Sequence, residues 1–305
     1  MQGDEALTGR PFTFWRVLPL PGEAASSYFS RLVMDECAHL PELYASEIGI
    51  NAIFRSEEVL ERIFRLPISE QDKERLRYWT PLEKHGRIHL AGQVFGRDQF
   101  RWTRRLHCRR CVAETPYHRV WWHLQCFRAC PVHECALEPL SYDLKKTGRW
   151  WPRFEHVVKE RAVHVELGDA ADTFESHIVR RLLDVSCQDS PSELSDFIEC
   201  APFVGRLLGN NRNPSIPPPS NKDWEVGYHA LKGGLLPFED QVRSWLRVNA
   251  PQSHAYLVRD LIGWAAEYLA DEEELFDPEI DDLPNPMHVK ISAIVRAECR
   301  RVLGR

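Results

Sequence analysis

The most restrictive stretch of this 305-residue chain is CRRCVAETPYHRVWWHLQCFRACPVH, residues 108–133. Cys108 and Cys111 have two residues between them, eighteen residues precede Cys130, and Cys130 and His133 repeat the two-residue gap. Each pair presents two donors from a tight turn, and three thiolates with one imidazole complete a tetrahedron around Zn²⁺. Pro131 presets the second turn. Four protein ligands leave no position for water or substrate, so the pattern predicts one structural Zn²⁺ that holds a shape and does no chemistry. Cys126, Cys135, His107 and His123 are nearby substitutes for a ligand. Unligated, buried cysteines with a surface histidine are the alternative to a metal.

Cysteine usage supports the metal. The chain has nine cysteines, an odd count, and five of them fall between Cys108 and Cys135. In an intracellular chain such clustering is better read as ligation than as a disulfide framework. The N-terminal MQGDEALTGRPFTFW lacks a basic start followed by an apolar run, and no stretch approaches the roughly 20 apolar residues of a membrane span. The expectation is a soluble, intracellular protein.

Net charge is −6, so the chain as a whole lacks the footprint of a general nucleic-acid coating protein. Between Arg97 and Arg128 the sign reverses, with eight arginines against Asp98 and Glu114. Arginine forks suit phosphate oxygens. Arg97, Arg101, Arg104, Arg105, Arg109 and Arg110, with Lys145, Lys146 and Arg149 of the following loop, are therefore the candidate nucleic-acid or partner contacts. A solvated rim that pairs with acidic groups elsewhere in the chain explains the same residues equally well.

The remaining pattern is mainly helical. LPLPGEAASSYFSRLVMDECAHL reads as an amphipathic helix starting near Glu23. A second helix fits SEEVLERIFR, and a third starts at Ser69, where SEQD forms a capping box with Asp72 in place of Glu or Gln. Three short helices with tight turns suggest a helix-turn-helix unit, although many small bundles share that pattern. GRIHLAGQVFGRDQFRW predicts one or two short strands leading into the first Cys pair. PYHRVWWHLQ then packs Trp121, Trp122 and Leu124 against the metal turn. Beyond it, helices are expected near 173–186, 191–208, 223–233, 238–248, 253–270 and 287–303. GNNRNPSIPPPSNKD breaks them, and an acidic loop occupies 271–282. The fold expected is mainly α: an N-terminal helix-turn-helix domain over 1–100, a central zinc-finger or ribbon module with a few short strands over 101–155, and a C-terminal helical domain over 156–305.

Catalytic signatures are missing. There is no GxxxxGK[ST], no GxSxG and no HExxH. Cys37, Cys187, Cys200 and Cys299 stand alone in helical patterns, where a cysteine is usually core. The chain is expected not to be an enzyme. A zinc-dependent hydrolase would need the open ligand position that the pattern withholds.

LPLPGEAASSYFSRL resembles the opening of TniQ proteins, in which a Pro-rich lead and Gly-Glu precede the first helix of a helix-turn-helix. CRRCVAETPYHRVWWHLQCFRACPVHECAL is similar to that family's zinc signature, with Pro-Tyr, Trp-x-Leu and Cys-Pro-x-His in order. FVGRLLG and GLLPFEDQVRSWL resemble its helical C-terminal region. Arg109 stands where the family usually has Pro, and Cys187 and Cys200 lack partners for a second zinc motif. The resemblance implies a non-catalytic selector of transposon target sites that recruits the AAA+ regulator TnsC and, through it, the transposase. One branch sits on a Cascade-type CRISPR effector with its guide RNA and target DNA, and can form a homodimer. The other, TnsD-like, binds an attachment sequence directly. Length and acidity favour the first, because tight independent DNA binding depends on neutralising phosphates.

Overall fold

A computed structural model describes residues 17–35, 44, 46, 49–50, 56–102, 105–139, 171–184, 194–209, 219–249, 257–269 and 285–304. The chain divides into two compact units, one of Met1–Ala171 with Val179–Ser186 and one of Asp172–Ile178 with Cys187–Arg305. The boundary expected after residue 100 falls inside the first unit. The one expected after residue 155 lies outside the described residues.

In the first unit, α1 is Ala25–Asp35, α2 is Ser56–Ile63 and α3 is Glu70–Trp79. Tyr28, Phe29, Leu32 and Val33 of α1 fall on one face and join Val59, Leu60, Ile63 and Leu76 in the core. Ser69 caps α3, its hydroxyl accepting from the Asp72 N–H at 3.2 Å. Asp72 returns to the Ser69 hydroxyl at 2.6 Å, so half of the expected capping box forms. Twenty residues separate α1 from α2, and Tyr44 and Ser46 among them are helical. That connection is longer than the tight turn expected of a helix-turn-helix.

Two short strands lie in GRIHLAGQVFGRDQFRW as expected, β2 (Arg87–Leu90) and β3 (Gln93–Gly96), and an additional β1 (Leu82–Lys84) before it completes a three-stranded antiparallel meander. Both turns have two residues, His85-Gly86 and Ala91-Gly92, and all four have positive φ. That is the type I′ geometry that matches strand twist. LEK, with one partly buried residue, gave no apolar alternation by which sequence alone would reveal β1.

The second unit is helical: it takes the first half of α5 (Phe174–Leu183), whose second half belongs to the first unit, while α6 (Leu194–Leu208), α7 (Asn221–Leu231), α8 (Leu235–Asn249) and α10 (Pro286–Val302) lie wholly within it. The long helix expected over 253–270 is corrected. An α-helix spans only Val258–Ile262, called α9 here, and Gly263 at φ +57° turns the chain into a 3₁₀ segment, Gly263–Tyr268. Among the described residues no helix is long and apolar enough to cross a membrane. Most of the proline-rich break, Cys37, Cys187 and the acidic loop 271–282 lie outside the described residues.

Candidate metal centre

The metal segment is framed by a short ribbon. β4 (Leu106–His107) pairs antiparallel with β5 (Glu138–Pro139), and Ala129 bridges Ala136. Between these strands the first Cys pair starts a helix, α4 (Arg109–Glu114), with Cys108 at its N-cap. The Cys111 N–H is directed at Cys108 Sγ, 3.4 Å away. Arg109 in place of Pro therefore costs nothing visible, because the pair is held by a helix turn. The second pair turns at Pro131, and the Cys130 N–H donates to the Cys135 carbonyl at 2.8 Å.

The donor atoms of Cys108, Cys111, Cys130 and His133 all lie within 4.8 Å of one another, and all four residues are buried. Cys111 Sγ stands 3.5 Å from Cys130 Sγ, and His133 Nδ1 stands 3.5, 3.2 and 3.7 Å from the sulfurs of Cys108, Cys111 and Cys130. Donors sharing a tetrahedral Zn²⁺ at its usual bond lengths are separated by about 3.5–3.8 Å. The sulfur spacing is far beyond the roughly 2.05 Å of a disulfide. The set can hold a metal ion, and soft thiolates with one imidazole suit zinc. In such a site the residues would supply four bonds and leave none open, so the metal would crosslink the chain.

The buried thiols hold their protons unevenly. The side chains of Cys111 and Cys130 hydrogen-bond to Cys108 and hold its thiol well below the usual range. Those same bonds, with burial, push Cys111 up, and Cys130 rises to about 11. A metal entering must displace those protons, so its affinity falls as the solution becomes more acid. The far nitrogen of His133, Nε2, donates to Glu114 Oε1 at 2.8 Å. Sequence reasoning missed Glu114, although its place three residues after Cys111 was a usable signal. Cys135 Sγ is 3.5 Å from Cys108 Sγ but is not one of the four mutually close donors. Cys126 is buried apart from them.

Trp121 lies against the N-terminal lead: a Cβ placed on Gly22 would sit 2.0 Å from Trp121 Cζ3, and Trp121 meets Trp79 edge-on with centroids 6.2 Å apart. The Val120 N–H donates to the Gly22 carbonyl, the Tyr117 hydroxyl to the Pro21 carbonyl, and the His118 N–H to Ser27 Oγ. Arg31 closes the joint with two 2.7 Å contacts to the carboxylate of buried Glu23, whose backbone forms an antiparallel β-bridge with that of Arg119. Proline lead and inter-cysteine segment, about a hundred residues apart, are one packed body.

The arginines separate into groups. Arg101 turns inward and donates to the carbonyls of Trp122, Leu124 and Gln125. Arg97 pairs with Glu83 at 3.5 Å, in a cleft also lined by Glu57, Glu58 and Trp102. Arg105 is half-buried and engaged within the protein. Arg109 and Arg110 are exposed on the first turn of α4, with no ion pair among the described residues. Arg104, Lys145, Lys146 and Arg149 lie outside the described residues.

Fold and site together define a mainly helical protein with a central Cys₃His module docked on an N-terminal helical body. Residues 14–137 match the model of the TniQ family, so that stretch is similar to TniQ proteins. No curated protein matches it. The family implies an accessory, target-selecting role in transposition.

Proposed function

We propose that this protein is a non-catalytic target-selection adaptor in DNA transposition, linking a Cascade-type CRISPR effector, with its guide RNA and target DNA, to the AAA+ regulator TnsC and through it to the transposase. The TniQ match over 14–137 carries the proposal. The adaptor acts in the bacterial cytoplasm, as a monomer or a homodimer, and its single Zn²⁺ braces the body that partners touch.

Two observations support protein docking over independent DNA binding. Net charge is −6, and in the arginine-rich stretch Arg97 is committed to a carboxylate, Arg101 to carbonyls and Arg119 to the Tyr117 ring at 4.3 Å. Arg109 and Arg110 are exposed, with no ion pair among the described residues. They sit in the first turn of a helix, where the dipole favours anions, so their charge works against local stability.

Co-purification with TnsC and with a Cascade-type effector tests the adaptor. Capture of either at micromolar concentration, weakened at least tenfold by Arg109→Glu with Arg110→Glu, is the expected result. Failure to bind both would remove the adaptor reading. A footprint on one attachment sequence, lost steeply as salt rises, would replace it with the TnsD-like selector.

A further inference from the structure

We propose that Glu114 selects the fourth ligand of the metal centre, holding His133 in that position against competition from Cys135. The proposal rests on the reading of Cys108, Cys111, Cys130 and His133 as zinc ligands.

The pocket offers five donors for four places. Cys135 Sγ is 3.5 Å from Cys108 Sγ, close to the roughly 3.8 Å between two thiolates on one tetrahedral ion. Its side chain is half-exposed, so rotation about its own bonds is less restricted than that of the buried ligands. Four thiolates are a structural zinc set in their own right, as are three with one histidine. Softness alone therefore does not exclude Cys135.

Glu114 breaks the tie in two ways. Its carboxylate accepts from His133 Nε2 at 2.8 Å, with the His133 side chain 1% exposed and that of Glu114 15% exposed. That bond fixes the tautomer in which Nδ1 carries the lone pair, and Nδ1 is the atom facing Cys108, Cys111 and Cys130. It also raises the basicity of the ring. Secondly, Zn²⁺ with three thiolates already carries a net charge of about −1. A fourth thiolate would add another negative charge next to the Glu114 carboxylate, which opposes it. The helix sets this geometry: Cys108 caps α4, Cys111 follows at three residues and Glu114 at three more, so carboxylate and two ligands are placed by the same turns.

Cobalt substitution of the full-length protein provides the test, since Co²⁺ takes tetrahedral zinc sites and its sulfur charge-transfer absorption scales with the number of thiolates. Wild type is expected to show three thiolates and one nitrogen. Glu114→Ala should shift to a four-thiolate spectrum, with that absorption rising by about one third for the fourth sulfur. Glu114→Ala with Cys135→Ser should return to three thiolates, with metal affinity, read by chelator competition, about 10–100-fold weaker than wild type. Glu114→Gln keeps an acceptor for Nε2 and should retain the wild-type spectrum. Cys135→Ser alone should leave both spectrum and affinity unchanged. A Glu114→Ala protein with wild-type spectrum and affinity would overturn the proposal, as would a wild type that already shows four thiolates or a Cys135→Ser protein with altered absorption. A wild type that takes up no cobalt or zinc would instead sink the metal reading beneath it.

Discussion

Gly22 is the residue at which two distant parts of the sequence meet. It has φ +73°, and any Cβ there would collide with the six-membered ring of Trp121. Gly22→Ala should therefore lower stability by about 2–4 kcal/mol, from combined left-handed backbone strain and overpacking, in urea unfolding of the metal-loaded protein. Two histidines beneath the same segment set an acid limit. His118 Nε2 donates to the Leu106 carbonyl and His123 Nδ1 to the Arg101 carbonyl. Burial lowers both, His118 well below the usual range and His123 to about 4. Because their folded pKa values lie below the unfolded value of about 6.5, the unfolded chain binds more protons between those limits. Their contribution is complete above about pH 6.5 and is lost as pH falls toward 4. Thermal midpoints measured with metal content monitored should fall over that window before all metal is released.

At the scale of elements, the close crossing of α6 and α7 holds the second unit together. A Cβ on Gly205 would lie 1.8 Å from the Asp223 carbonyl oxygen, and one on Gly227 would lie 1.8 Å from that of Ala201. Backbone meets backbone there, and no side chain can yield. Gly205→Ala and Gly227→Ala should each cost about 3 kcal/mol or more, seen as a lower denaturation midpoint and loss of helical signal from this unit. FVGRLLG was legible as helix because its apolar residues recur at helical spacing. That Gly205 marks a crossing was not, since the partner Asp223 lies beyond a proline-rich break. Likewise β1 escaped notice because LEK has no alternation, and its pairing depends on the I′ turn at His85-Gly86.

For the molecule as a whole, the candidate metal cluster belongs to the first compact unit, and no such cluster occurs among the described residues of the second. Calorimetry with a strong chelator should lower or abolish one unfolding transition and leave another, contributed by the helices after Cys187, nearly in place. A single transition that moves as a whole on chelation would show that the two units unfold together. The expected direction follows from the ligands: the unfolded chain holds metal poorly, so removing it withdraws folding free energy from the unit that binds it.

The sequence by itself determined the helical periodicities and the four donor residues, since both follow from spacing along the chain and from the chemistry of thiolate and imidazole. It also determined the likeness to TniQ proteins. Tertiary structure alone decided that Trp121 lies on Gly22, that Arg101 faces carbonyls instead of solvent, and that Glu114 rather than another group backs His133. These are contacts between residues brought together by folding, and each depends on where a neighbouring backbone happens to stand. A spacing rule has no access to that position. It can name four candidate donors, but the carboxylate hydrogen-bonded to one of them is found only where the helix of the first pair passes the ring of the second.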